Sequence, residues 1–420
     1  MKRILATILV MALFLTVLVV PVAQADDGLT GTLRFAIYTD TARDAVANAQ
    51  AELYMKEHPG VTIEVVSVPF ANYYTQLGQG IAADDAWDVF MVNGANSGAL
   101  AKNGGLLDLT DEMTARGFDI SKYIEDPMNS TYEDRWYVLP YELNTSGILY
   151  NKDLFDASGV AYPTEDWTWE DFRRIANELT IPDKSQFGAY LRLAQPDMVS
   201  FIYEAGGQLY SDDLKTIDFT TPEVVEALTF MNDMITKDHC CPTPAEIPAN
   251  ISPFMTGKIA MASAMCFECL NFLSADFNWG IAPWPSYKNK GGVFWTQGMS
   301  LYSGTKNKDL ALDFVFWLAG EEGQTVMADV MGGAPSLVSV ANTAYVNNAK
   351  APDGMIYMIK EFANGNAVAE PFTEKWTAIS GGGTSVVQSE LTLVRLGEET
   401  LEAGLKNITR DAQALLDEIE

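Results

Sequence analysis

Basic residues are scarce in this chain: 27 Lys and Arg stand against 56 Asp and Glu, a formal charge of −29. A surface so acidic repels phosphate backbones and anionic lipid, so no nucleic acid partner is expected. Histidine is scarcer still, with only His58 and His239, far apart and unable to complete a nucleophile triad. Neither G-x-S-x-G nor H-E-x-x-H occurs, so the serine-hydrolase and zinc-hydrolase motifs are missing. These gaps leave no catalytic residue, no metal ligand set and no cofactor to assign, and the chain is expected not to be an enzyme. A glycoside hydrolase needs only two suitably spaced carboxylates, so that rival is disfavoured by the missing motifs rather than excluded.

Long apolar runs are also few. One extends from Ile4 to Val20, after Lys2 and Arg3 and before Pro21 and the small-residue sequence Ala23-Gln24-Ala25. That order is expected of an export signal over residues 1–25, cleaved after Ala25. A retained anchor is the alternative, since the run reaches the lower limit of about 17 residues for a spanning helix. No cysteine lies near the cleavage point, so there is no lipobox, and the periplasm of a two-membrane cell is the expected location.

The four cysteines form two groups, Cys240 with Cys241 and Cys266 with Cys269. Adjacent cysteines bridge each other poorly and the expected compartment is oxidising, so a disulfide between the groups is predicted. A zinc site built on His239 and the thiols is the less favoured alternative, because one pair is vicinal. His58, at a turn, is expected on the surface.

What is present is a regular alternation of elements. Leu33 to Ile37 reads as a strand, and Ala45, Ala49, Leu53 and Tyr54 as one face of a helix ended by Pro59 and Gly60. A strand from Val61 to Val66, a helix from Phe70 to Ala83 and a strand from Val89 to Val92 follow, a β-α-β-α-β start that implies a mostly parallel sheet. Ligands bind beyond the carboxyl ends of such strands, which here brings forward Tyr38, Thr39 and Asp40, then Asn93, Gly94 and Asn96. Farther on, Trp169 to Leu179 and Pro222 to Thr236 read as helices, the first opened by Thr168 with Asp171 as a weak capping box. Leu401 to Ile419 keeps the spacing of an amphipathic terminal helix. The length and aromatic content support two domains.

Several segments in order resemble the extracellular solute-binding proteins of sugar ATP-binding-cassette importers, the group that includes maltose-binding protein. They are HPGVTIEVVSVPFANYYTQLGQGIAADDAWDVF from His58, GGLLDLTDEM from Gly104 and RWYVLPYELNTSGILYNKDLFDASGV from Arg135. WTWEDFRRIANELT from Trp167, AGGQLY from Ala205, FMTGKIAM from Phe254 and TKNKDLALDFVFWLAGEEGQ from Thr305 continue the match. The resemblance implies an α/β, two-lobed periplasmic-binding-protein fold of type II, with hinge strands and a ligand cleft between the lobes. Crossings are expected around Tyr141 to Asn144, Gly280 to Trp284 and Gly332 to Pro335, dividing the chain into 26–142 plus 284–334 and 143–283 plus 335–420.

The same resemblance implies a sugar ligand, membrane permease subunits as partners and a monomer. A sugar needs flat aromatic platforms for its C–H face and polar groups for its hydroxyl edge. By position in the matching motifs, Tyr38, Tyr73, Tyr74, Tyr141, Phe267, Trp295 and Trp376 are the candidate platforms. Asp40, Asn93, Glu142, Asn144, Glu268 and Gln297 are the candidate polar partners. Trp167, Trp169, Phe172, Phe314 and Trp317 are assigned to cores, because they lie in or beside amphipathic helices. Two positions depart from the family pattern: Phe267 stands in a Cys-Phe-Glu-Cys sequence where relatives often carry Trp, and Tyr38 stands where many have Trp. A polyol, polyamine, metal or peptide is the alternative ligand; Glu142, Glu268, Tyr38 and Trp295 would then form a box for a cation.

Overall fold

The computed structural model describes residues 28–124, 130–192, 196–247, 252–363, 367–373, 375–381 and 384–419. The expected export segment lies outside these residues. Among the described residues no helix is long and apolar enough to cross a membrane.

The amino-terminal alternation folds as its periodicity indicates. Strand Gly31–Tyr38 pairs in parallel with Val61–Val68 and with Val89–Asn93, and helices Thr41–Glu57 and Phe70–Ala82 make the crossovers. The buried stripe of the first helix differs from the expected one. It is formed by Ala42, Val46, Ala47, Gln50, Ala51 and Tyr54, while Ala45 is exposed. Alanines fit either face of a helix, so the rotation is set by where Val46 and Tyr54 find partners. The capping box at Thr168 forms in full, with the Asp171 carboxylate accepting from the Thr168 backbone N–H at 3.1 Å.

The sheet then changes direction. Val293–Leu301 runs antiparallel between Val89–Asn93 and Leu139–Asn151, and the latter lies beside Ile259–Met265, which pairs in parallel with Phe187–Tyr190. Leu139–Asn151 is buried along its whole length and exchanges neighbours midway. Its first part, up to Thr145, faces Val293–Leu301; from Ser146 it pairs with Ile259–Met265, and from Ile148 also with Trp279–Ala282. Ala334–Pro335 pairs with the same strand at Leu143 and Glu142. This handover joins two bodies with separate cores.

One core gathers Phe35, Tyr54, Phe90, Leu139 and Tyr141 with Met299, Leu301 and Phe314, and within it Phe35 and Phe314 meet edge to face at 5.3 Å. A second gathers Ile148, Trp167, Phe172, Phe201, Met231 and Trp284 with the carboxyl-terminal Leu405, Ile408 and Ala412. A third, along the join, holds Leu143, Phe254, Ala264, Ala334 and Tyr345. Trp284 therefore packs in the second core, and the strand that leads back to the first body is Val293–Leu301, later in the chain than Gly280 to Trp284.

The expected disulfide is absent: all four cysteines are buried free thiols. Cys240 and Cys241 belong to the second core, and Cys266 and Cys269 to the third. Each group is satisfied locally, with the Cys266 thiol donating to the Leu143 carbonyl at 3.1 Å and that of Cys240 to the Met234 carbonyl at 3.4 Å. Spacing along the chain showed two groups but not that different cores would hold them apart. Among the described residues no group of His, Cys, Asp and Glu is arranged to hold a metal. His58 is half-buried, its ring 4.1 Å from that of Tyr54.

Candidate functional site

A cavity of about 350 Å³ opens where the strand ends of the first body meet the second. Tyr38, Thr39, Asp40, Arg43, Phe70 and Asn93 line one side; Pro196, Phe267, Trp295, Gln297, Glu370, Phe372 and Trp376 line the rest. A cavity of about 570 Å³ lies between the Asp213–Lys215 turn and the terminal helix. It draws on one body only, so the smaller cavity, which gathers residues from both, is the better binding site.

The first side is built by local chain geometry. Strand Gly31–Tyr38 ends at the helix whose N-cap is Asp40, and the Asp40 carboxylate accepts from the Arg43 backbone N–H at 2.7 Å and from its guanidinium at 2.6 Å. The rest of that guanidinium turns to Glu142, donating at 2.8 and 3.2 Å. Burial opposes the Arg43 charge, but Glu142 and Asp40 outweigh it and hold the guanidinium firmly protonated. Burial pushes Glu142 upward, with Arg43 opposing. Beside them the Tyr38 and Tyr74 hydroxyls are 2.7 Å apart, and the Tyr74 oxygen accepts from the Asn93 backbone N–H at 3.0 Å. Burial pushes both phenols well up, so they act as neutral hydrogen-bonding groups.

The second side rests on the returning strand. Trp295 and Gln297 are two residues apart and so face the same way, with Gln297 opposite both Asn93 and Glu142. Gln297 is 7 % exposed, and its side-chain oxygen has no partner among the described residues. Such an acceptor at a cavity wall is ready for a ligand donor. Glu370 is fixed by its backbone N–H on the Phe294 carbonyl at 2.7 Å, and its carboxylate accepts from the Trp376 indole at 3.0 Å. Phe372 joins the two indoles, 6.4 Å from Trp295 and 5.1 Å from Trp376, both edge to face. Phe267 lies under the Arg43 guanidinium at 5.0 Å.

Of the residues singled out from sequence, Tyr38, Asp40, Asn93, Phe267, Trp295, Gln297 and Trp376 line this cavity. Six do not. Tyr73 is fully buried behind Tyr38, its hydroxyl donating to the carbonyls of Ala36 and Met91, and Tyr74 supports Tyr38 from behind. Tyr141 faces the first core and donates to Gln50 at 2.8 Å. Glu142 holds Arg43, and Glu268 accepts from the Met265 backbone N–H and from Arg192. Asn144, in the shared strand opposite Trp295, is fully buried, and both its amide atoms lack a partner among the described residues.

Thr39, brought forward only as a strand-end residue, lines the cavity too, and Arg43, Phe70, Pro196, Glu370 and Phe372 line it without having been singled out. The stretch Glu370-Pro371-Phe372-Thr373-Glu374-Lys375-Trp376 did carry a signal, aromatic and acidic residues at short spacing around a tryptophan already chosen. Pro196 carried none.

Residues 38–325 match the family model of bacterial extracellular solute-binding proteins. The chain is 25 % identical over 345 residues to the maltotriose-binding protein of Pyrococcus abyssi, covering 80 % of this chain and 72 % of that one. It is 21 % identical to the diacetylchitobiose binding protein of Streptomyces coelicolor, covering 78 % and 77 %. Among solved structures it superposes on an ABC substrate-binding protein of Listeria monocytogenes in complex with cycloalternan, with a TM-score of 0.82 at 24 % identity over 92 % of this chain and 99 % of that one. It also superposes on the GacH receptor of Streptomyces glaucescens, with a TM-score of 0.78 at 23 % identity over 93 % and 100 %. These superpositions place the fold among the two-lobed binding proteins.

Proposed function

Because the chain belongs to the bacterial extracellular solute-binding proteins, we propose that it takes a sugar into the cavity between its lobes and delivers it to the permease of an ATP-binding-cassette importer. The observation that carries this reading is the make-up of the cavity wall. Flat rings from Tyr38, Trp295, Phe372 and Trp376 stand beside Asp40, Asn93, Gln297 and Glu370, the pairing of apolar faces and planar polar groups that a sugar requires. Relatives of this chain are named for binding maltotriose and diacetylchitobiose, and those names support a saccharide here.

The reading includes export with cleavage after Ala25, action as a monomer and no catalytic turnover. It includes a division into two lobes with the return to the first placed at Val293–Leu301 rather than at Trp284, and with the Leu139–Asn151 and Val293–Leu301 strands as the paths along which one lobe rotates on the other. A ligand that binds only the folded protein raises its melting temperature. A thermal-shift screen over mono- and oligosaccharides, polyols and polyamines, followed by calorimetry, therefore tests the reading. Saturable binding of a saccharide with no product after prolonged incubation is the expected result; binding confined to polyols or polyamines, or release of reducing sugar, would overturn it.

A further inference from the structure

The cavity is electrostatically lopsided. At one end the charge of Arg43 is already shared between two carboxylates, Asp40 at 2.6 Å and Glu142 at 2.8 Å. At the other end Glu370 is 2 % exposed, and among the described residues no Lys, Arg or His reaches its carboxylate. The Trp376 indole N–H is its one side-chain donor there, bound to a single oxygen. A buried carboxylate with so little compensation is costly to keep charged, and burial lifts this one to about 7 against the indole's opposing effect. Among the described residues the titratable groups facing it are Tyr210, whose own hydroxyl is pushed up by burial, and, across the cavity, Asp40 and Arg43.

Around Glu370 stand the rings of Trp295, Phe372 and Trp376, within 5.1 to 6.4 Å of one another in sequence of contact. Aromatic faces next to an unpaired carboxylate attract a cation by the ring quadrupole as well as by charge. A neutral sugar entering here would strip the remaining water from Glu370 and bring only hydroxyl donors. A cationic group would bring the missing charge and a charge-assisted hydrogen bond together. An acidic sugar would meet a wall that is already negative.

Resting on the sugar reading above, we propose that the ligand is an amino sugar, a saccharide carrying a free protonated amine, and that the amine docks on Glu370 among Trp295, Phe372 and Trp376. Glu370 is then the residue that decides specificity, while Asp40, Asn93 and Gln297 serve hydroxyls of the same ligand.

The test is calorimetric titration of the intact mature protein near pH 7 with matched saccharides: a β-1,4-linked glucosamine dimer and trimer, their N-acetylated forms, and the glucose oligomers of the same linkage. Spermidine is the control for a cation without a sugar. We expect the free-amine saccharide to bind about tenfold or more tighter than its acetylated and neutral counterparts. In Glu370→Gln, which retains an acceptor for the Trp376 indole, that preference should vanish while the melting temperature does not fall. Equal or tighter binding of a neutral or acetylated saccharide by the unsubstituted protein overturns the proposal and leaves the sugar reading standing. Binding of spermidine with no saccharide bound overturns both, whereas a folded Glu370→Gln protein that keeps the amine preference overturns the assignment to Glu370 and leaves the sugar reading standing.

Discussion

The Arg43 guanidinium grips the buried Glu142 carboxylate at 2.8 and 3.2 Å, tying the helix that opens the cleft to the strand that passes between the lobes. Glu142 is 1 % exposed, and Gly333 lies flat against its carboxyl group, where a Cβ would come within 3.2 Å. The same guanidinium covers Phe267 at 5.0 Å and approaches Tyr38 at 5.8 Å. One side chain therefore orders a platform on each side of the cavity and the strand behind it.

Removing that side chain should be expensive. Arg43→Met strands Glu142 without its partner, and breaking a buried pair from one side costs about 3–5 kcal/mol. Adding Glu142→Gln should restore much of the loss, because the uncompensated charge is then gone. Urea unfolding of both variants measures this; a single variant as stable as the parent would show that Glu142 does not depend on Arg43.

Glu370 should make the ligand-free protein less stable as pH rises. Its folded value of about 7 lies above the ordinary 4.5, so between these values the native state keeps a proton that the unfolded chain has released. Stability is full below about pH 4.5, falls through the window and levels above pH 7. The total is about 3 kcal/mol, taking about 1.4 kcal/mol per pH unit. Glu370→Gln should flatten the curve by that amount between pH 5 and pH 8. Every other group is common to both proteins, so the difference between the two unfolding series is the readout.

The ring of Trp376 is half-buried and backed by Gly381, where an added Cβ would overlap the indole. Trp376→Ala should weaken sugar binding about tenfold or more, since it removes an aromatic platform. Its cost in stability should stay below the 3–5 kcal/mol typical of a core tryptophan. Gly381→Ala should weaken binding in the same direction by displacing the ring. Calorimetric titration with melting curves for both variants separates the two effects, and a large stability loss with unchanged affinity would assign Trp376 to packing.

All four thiols should be countable. Unfolding the protein without reductant should release four groups reactive to a thiol reagent, and the native protein should react slowly, because every cysteine is buried. Burial also pushes the Cys266 thiol up to about 11, which keeps thiolate scarce at neutral pH. A count of two or fewer in the unfolded, unreduced protein would establish a disulfide after all.

Read on its own, the chain specified its local elements well. The β-α-β-α-β start, the capping box at Thr168 and the amphipathic stripe of Leu405, Ile408, Ala412 and Leu416 all follow from spacing and capping chemistry that act within a few residues. Tyr38, Asp40 and Asn93 were also legible, because strand ends of such a sheet open onto a cleft. Contacts between distant parts of the chain decided the rest. Arg43 and Glu142 are 99 residues apart, and no local pattern announces that a guanidinium one turn into a helix will meet a carboxylate on the crossing strand. Tyr73 and Tyr74 look equivalent in sequence, yet the helix puts one behind Tyr38 with its hydroxyl on backbone carbonyls and the other at the hydroxyl of Tyr38. The cysteine groups suited a bridge by spacing and compartment until packing placed them in separate cores. Periodicity encodes which residues turn inward from an element, but what they meet there depends on how elements far apart in the chain are brought together, and that is set only when the cores close.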